Sequence, residues 1–151
     1  MNKSVLTAAF FAVIAGGASA EGWHHAAAPM GQFEGNYSTS DESYGLFYGC
    51  TGMSSRLTFS AKGAHIAAGL SSITVDGKEV ATGDTTYSSR QDRTIFSSDV
   101  QRDWGQLRKD EHNAIITALA TGSEAIWTTP SGDRFTFDLT GSSGIKKCEM
   151  S

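Results

Sequence analysis

The chain contains two cysteines, Cys50 and Cys148, and this pair constrains the fold more than any other feature. Whether the two sulfurs join depends on the compartment, and residues 1–20 bear on that. Lys3 precedes an apolar run over residues 5–15, and small residues stand at Ala18 and Ala20, which is the three-part pattern of a cleavable secretory signal. Cleavage after Ala20 makes Glu21 the new amino terminus. The run is shorter than the roughly 20 apolar residues that a bilayer span requires, and no second such run follows, so no transmembrane segment is expected in the mature chain. A periplasmic or secreted location follows. In such an oxidising compartment, two cysteines this far apart form a structural disulfide. Closing a loop of roughly 100 residues stabilises a fold by about 4 to 5 kcal/mol on the chain-entropy model. Two thiolates alone do not complete a structural zinc site.

Of the 151 residues, those left after signal removal suffice for one hydrophobic core and are too few for two. The formal charge of −4 becomes one unit more negative without Lys3. The acidic excess is spread out, with no basic block or basic helix face, which argues against nucleic acid as a partner. The expected organisation is a signal peptide over 1–20, a flexible arm over 21–35 and one β-rich domain over 36–151. The arm holds Trp23, His24, His25, Pro29 and several glycines without a sustained period. Adjacent imidazoles suit copper, nickel or zinc. However, His24 would be fourth from the mature terminus, one place beyond the position that a square-planar amino-terminal site uses, and no metal or other cofactor is expected.

Within the domain the period is that of strands. Tyr44, Leu46, Phe47 and Tyr48 lead into Cys50, and Leu57 and Phe59 alternate with Thr58 and Ser60, as in a strand with one buried face. Ile73 and Val75 precede Asp76-Gly77, the strongest hairpin signal in the chain, with residues 78–81 returning. Residues 85–89 and 94–100 are two more strands around the turn at 90–93, and an antiparallel meander is the economical arrangement. Residues 64–70 fit either strand or loop. From 110 to 121 the period becomes helical, with Ala114, Ile115, Ala118 and Leu119 as the apolar stripe, Asp110 as the candidate cap and Gly122 as the stop. A longer helix capped by Asp103 would place Trp104 and Leu107 on the same stripe. A last hairpin turns at residues 130–132, with Phe135, Phe137 and Leu139 on one face. The predicted fold is therefore mainly β: an antiparallel sandwich or partly open barrel of about seven strands with one packed helix near 110–121.

Signals for chemistry are sparse. No Gly-x-Ser-x-Gly elbow, phosphate loop, zinc-protease helix or calcium loop occurs. His65 and His112 read as surface or hydrogen-bonded structural residues. Asp99, Asp103, Asp110 and Glu111 read as a solvated, capping cluster ahead of the helix, although paired carboxylates are judged by their separation in space. Trp127, Phe135 and Phe137 are assigned to the core. Tyr37, Tyr87 and Trp104 are the candidate contacts with a partner, because Tyr and Trp anchor interfaces.

Cys50 after an aromatic strand, Val75-Asp76-Gly77, a helix ending at Gly122, Trp127, and Phe137-Asp138-Leu139-Thr140-Gly141-Ser142-Ser143 before Cys148 together resemble small secreted proteins of Gram-negative bacteria related to the invasion-associated locus B family. The likeness covers roughly residues 50–148, and its sharpest part is Leu139, Gly141, Ser142, Ser143 and Cys148. The amino-terminal Trp and Cys arrangement of that family is not matched. The resemblance implies a periplasmic β-rich domain and supplies no site residue. A second likeness is to bacterial periplasmic lysozyme inhibitors, through Tyr48-Gly49-Cys50, Cys148 and Ser131-Gly132-Asp133-Arg134-Phe135, where Phe replaces Tyr. Those inhibitors have no long helix between their last strands. The expected function is that of a non-enzymatic periplasmic binding or accessory protein whose partner is a protein or an envelope component. An inhibitor of a cell-wall hydrolase such as lysozyme is the alternative, and a small secreted hydrolase the next.

Overall fold

A computed structural model of the chain describes residues 22–28, 32–39, 41–51, 54–63, 69–101 and 108–151. The signal segment, Asp103, Trp104, Leu107 and His65 lie outside the described residues. Among the described residues nine strands run in the order β1 (Gly22–Ala28), β2 (Gln32–Ser38), β3 (Tyr44–Cys50), β4 (Ser54–Lys62), β5 (Gly69–Val75), β6 (Lys78–Ser88), β7 (Arg93–Gln101), β8 (Glu124–Thr128) and β9 (Arg134–Asp138). Helix α1 (Lys109–Thr121) joins β7 to β8, and a 3₁₀ helix, Ser142–Cys148, follows β9. All strands belong to one antiparallel sheet, ordered β1-β2-β3-β4-β7-β6-β5-β8-β9 and nearly closed as a barrel.

The mainly β, antiparallel architecture with one helix is the expected one, and the strand count is higher than the seven foreseen. The supposed arm accounts for the difference, because β1 pairs with β2 from Gly22↔Ser38 to Ala28↔Gln32. Its order comes from cross-strand pairing and from rings reaching across the barrel, neither of which leaves a periodic trace. The foreseen strand at 85–89 is the far half of β6, which is continuous from Lys78.

A simple meander does not form. The turns at residues 76–77 and 89–92 stack β5, β6 and β7 as expected, but β7 then returns to β4 with Phe59 opposite Phe96, while β5 takes β8 as its other neighbour. The pairing brings two large inward rings together, the fully buried Phe59 and Phe96 with centroids 5.9 Å apart. Asp76 and Gly77 both have positive φ, 48° and 79°, the conformation that a tight two-residue hairpin turn requires.

Alternation fills the barrel. Leu46 and Tyr48 on β3, Leu57 and Phe59 on β4, Ile73 on β5, Phe96 on β7, Trp127 on β8 and Phe137 on β9 all point inward and are buried. Phe137 lies 5.7, 5.3 and 5.3 Å from the ring centroids of Tyr37, Tyr44 and Phe59. Each such ring contributes about 1.5 to 3 kcal/mol through burial, with about 0.5 to 1.5 kcal/mol more per well-placed aromatic pair.

The foreseen Gly122 stop is present, its N–H donating to the Ala118 carbonyl 2.8 Å away. Two details of α1 differ from expectation. Arg108, not Asp110, is the residue before its first turn, and it makes no side-chain cap; Asp110 and Glu111 lie within that turn, where their charge suits the helix dipole. The buried face is His112, Ile115, Ile116 and Leu119, rotated from the foreseen stripe because α1 packs chiefly on the 3₁₀ helix. His112 donates from Nε2 to the Cys148 carbonyl at 2.8 Å, and Asn113 exchanges two hydrogen bonds with the Met150 backbone.

Candidate functional site

The two ends of the sheet meet without a backbone ladder. Leu139 N–H donates to the Ser123 carbonyl, so by antiparallel alternation the backbone groups of Thr136 and Asp138 point away from β8. Side chains satisfy those carbonyls: the Tyr44 hydroxyl donates to Thr136 at 2.8 Å, and the Trp23 indole N–H donates to Asp138 at 2.7 Å. Farther along, His25 Nε2 lies 2.8 Å from the Gly141 carbonyl. A carbonyl only accepts, so Nε2 carries the proton. Nδ1, 2.5 Å from the Tyr48 hydroxyl, accepts from it in the neutral ring.

The Gly-Ser-Ser-Gly turn makes this approach possible. Gly141 has φ of 92°, and a Cβ on Gly144 would stand 2.9 Å from the His25 ring. Ser142 anchors the turn from inside by donating to the Leu119 carbonyl at 2.7 Å. The His25 ring stacks between Trp23 and Phe33, with interplanar angles of 14° and 15°. The Lys147 ammonium lies 4.7 Å from the Phe33 centroid, within cation–π range. Burial pushes the Tyr48 hydroxyl well above the usual phenol range, so it remains a proton donor. With both imidazole nitrogens engaged, this cluster acts as a clasp across the barrel seam.

No known protein family, curated protein or solved structure matches this chain.

The residues singled out from sequence fall in different places. Cys50 and Cys148 are joined, their Cα atoms 5.5 Å apart, which binds the end of β3 to the end of the 3₁₀ helix. Tyr37 corrects an expectation: it is 3% exposed and belongs to the core, because its position on β2 has inward parity. Tyr87 is 37% exposed, and its hydroxyl donates to Asp92 at 2.6 Å. That bond, and the negative charge of Asp92, raise its pKa. Trp104 lies outside the described residues. His112 is buried and hydrogen-bonded. His24 and His25 point to opposite faces of β1, and among the described residues no cluster of three or more His, Cys, Asp or Glu side chains is placed to hold a metal ion.

The outer face of β1, β2 and β3 carries the feature that the sequence reading missed. His24 is opposite Asn36, and Asn36 is opposite Phe47. With Ala26 and Glu34 these residues line a cleft of about 130 Å³. Phe47 is 40% exposed. Its ring leans over Gly49, where a Cβ would come within 3.2 Å of it. Strand parity carries the signal: Tyr44, Leu46 and Tyr48 share one face, which leaves Phe47 on the other. An aromatic face, a carboxylate, a carboxamide and an imidazole equip this surface for stacking and hydrogen bonding.

Proposed function

We propose that this protein is exported, loses residues 1–20, and serves the cell envelope as a non-enzymatic binding or accessory protein that holds a protein or envelope component against the outer face of β1–β3. The exposed Phe47 ring beside His24, Glu34 and Asn36 carries this reading. It is a large apolar group on a wet face, flanked by polar groups able to orient a ligand. The filled barrel interior supports it too, since Phe59, Phe96, Trp127 and Phe137 take up the space that a wider barrel gives to cargo. The resemblance of residues 50–148 to secreted envelope proteins points the same way. The test is capture from periplasmic extract by the processed protein and by Phe47→Asp. A partner retained by the first and lost by the second is the expected result; equal capture by both removes β1–β3 from the function.

A second reading, inhibition of a cell-wall hydrolase such as lysozyme, is favoured by the loop between β8 and β9. Residues 130–134 are exposed and internally braced: Ser131 donates to Asp133 at 2.7 Å, and Asp133 N–H donates to the Thr129 hydroxyl at 3.1 Å. A braced, exposed turn suits insertion into an enzyme cleft. Lysozyme turnover unchanged at high molar excess of the protein eliminates this reading.

A further inference from the structure

A second cleft, of about 360 Å³, opens between α1 and the β5–β6 hairpin, and it shares no residue with the β1–β3 face. Its floor is apolar and its side chains are short: Val80 from β6, and Ala114 and Ala118 from successive turns of α1. The hairpin register shifts here, Ile73 pairing with Ala81 and Thr74 with Glu79, which makes Val80 the extra residue of a bulge. Bulges re-aim side chains beside functional sites, and this one sets Val80 at the cleft.

The rim decides what charge the cleft accepts. Asp76 and Glu79 are carboxylates and Lys78 is the one ammonium among the lining residues. Asp76 already accepts the N–H groups of Ser123 and Glu124. Glu79 is exposed and its carboxylate makes no hydrogen bond or ion pair among the described residues, so it is free to turn toward a ligand. The carboxyl end of α1 borders the same cleft and has no basic side chain in its last turn, so the helix adds the negative end of its dipole and no cation of its own. Two carboxylates and a helix carboxyl end outweigh a single lysine.

From this charge balance over an apolar floor, we infer that the cleft is a binding site for a small free aliphatic amine, its chain on Val80, Ala114 and Ala118 and its ammonium held by Glu79. The volume falls within the range of small-molecule sites. This inference is independent of the β1–β3 reading and stands or falls without it.

The processed protein, labelled with ¹⁵N, is titrated with hexylammonium and separately with hexanoate while amide shifts are followed. Saturable shifts at Val80, Ala114, Ala118 and Gly122 with hexylammonium, and none with hexanoate, are expected. Glu79→Gln, a surface change, weakens the affinity by about tenfold, as loss of a charge-assisted hydrogen bond does. Lys78→Ala strengthens it by about twofold through loss of a like charge. Ala118→Leu fills the floor and abolishes binding. Hexanoate saturating the cleft as tightly as hexylammonium, hexylammonium shifts that do not saturate, or an unchanged affinity in Glu79→Gln would each overturn the assignment.

Discussion

The indole N–H of Trp23 donates to the backbone carbonyl of Asp138, 2.7 Å away and 115 positions later in the chain, and so links the first strand of the sheet to the last. With Tyr44 on Thr136 and His25 on Gly141, it supplies from side chains the closure that a fully hydrogen-bonded barrel obtains from backbone. Replacing Trp23 by Phe keeps an aromatic ring and removes the donor. This is expected to cost about 1 kcal/mol, the net worth of one hydrogen bond. A lowered urea midpoint with an unchanged slope is the expected signature, with amide exchange accelerated more in β1 and β2 than in β5 and β8. Uniform acceleration across all strands counts against a local seam.

The Cys50–Cys148 disulfide closes a 98-residue loop, for which the chain-entropy model gives about 4 to 5 kcal/mol. Domain stabilities are commonly about 5 to 15 kcal/mol, so the reduced chain is expected to be marginally folded. Urea unfolding with and without reductant measures the difference. A loss below about 1 kcal/mol would place the stability elsewhere.

Gly83 lies under the Phe96 ring, and a Cβ there would come within 2.6 Å of it. Gly83→Ala therefore forces a fully buried ring to move and is expected to cost about 1 to 3 kcal/mol. Thr82→Ala, at the exposed neighbouring position, should change stability by less than about 0.5 kcal/mol. Equal thermal shifts for the two variants contradict the packing described for β6 and β7.

In the turn between β2 and β3, the Thr39 hydroxyl donates to Asp41 at 2.7 Å and the Ser43 N–H donates to the same oxygen at 3.0 Å. These bonds hold the Asp41 carboxyl at about 2, below its usual 3.8. The Thr140 backbone N–H and hydroxyl also lower Asp138 from its ordinary value. The folded state binds these protons less tightly than the unfolded chain does. The contribution of Asp41 is therefore present above about pH 4 and is lost as the pH falls toward about 2, and that of Asp138 is lost in the same direction, on acidification. Stability measured by urea unfolding across this window should fall less steeply in Asp41→Asn than in the parent, and superimposable profiles would remove Asp41 as a contributor.

Local chemistry was legible wherever a short segment determines its own shape. Asp76-Gly77 read as a hairpin, Gly122 as a helix stop, and Phe137 and Leu139 as core by alternation, and each holds because the cause lies within a few residues. Phe47 is equally readable by parity, although the aromatic residues on both sides of it mask the signal. Around Tyr37 the serines and threonines suggest a wet face, whereas strand parity turns its ring toward Phe137.

From its own order of residues the chain dictates strands, turns, one helix and a pair of cysteines, because those depend on backbone geometry and on a period of two or 3.6. Only the folded molecule decides that β4 chooses β7, that Trp23 and His25 belong to the barrel, and that Ala114 and Ala118 border a cleft. Those outcomes depend on which rings fit together and on which carbonyls remain without a ladder partner. Such contacts join positions far apart in the chain, and no local pattern records them.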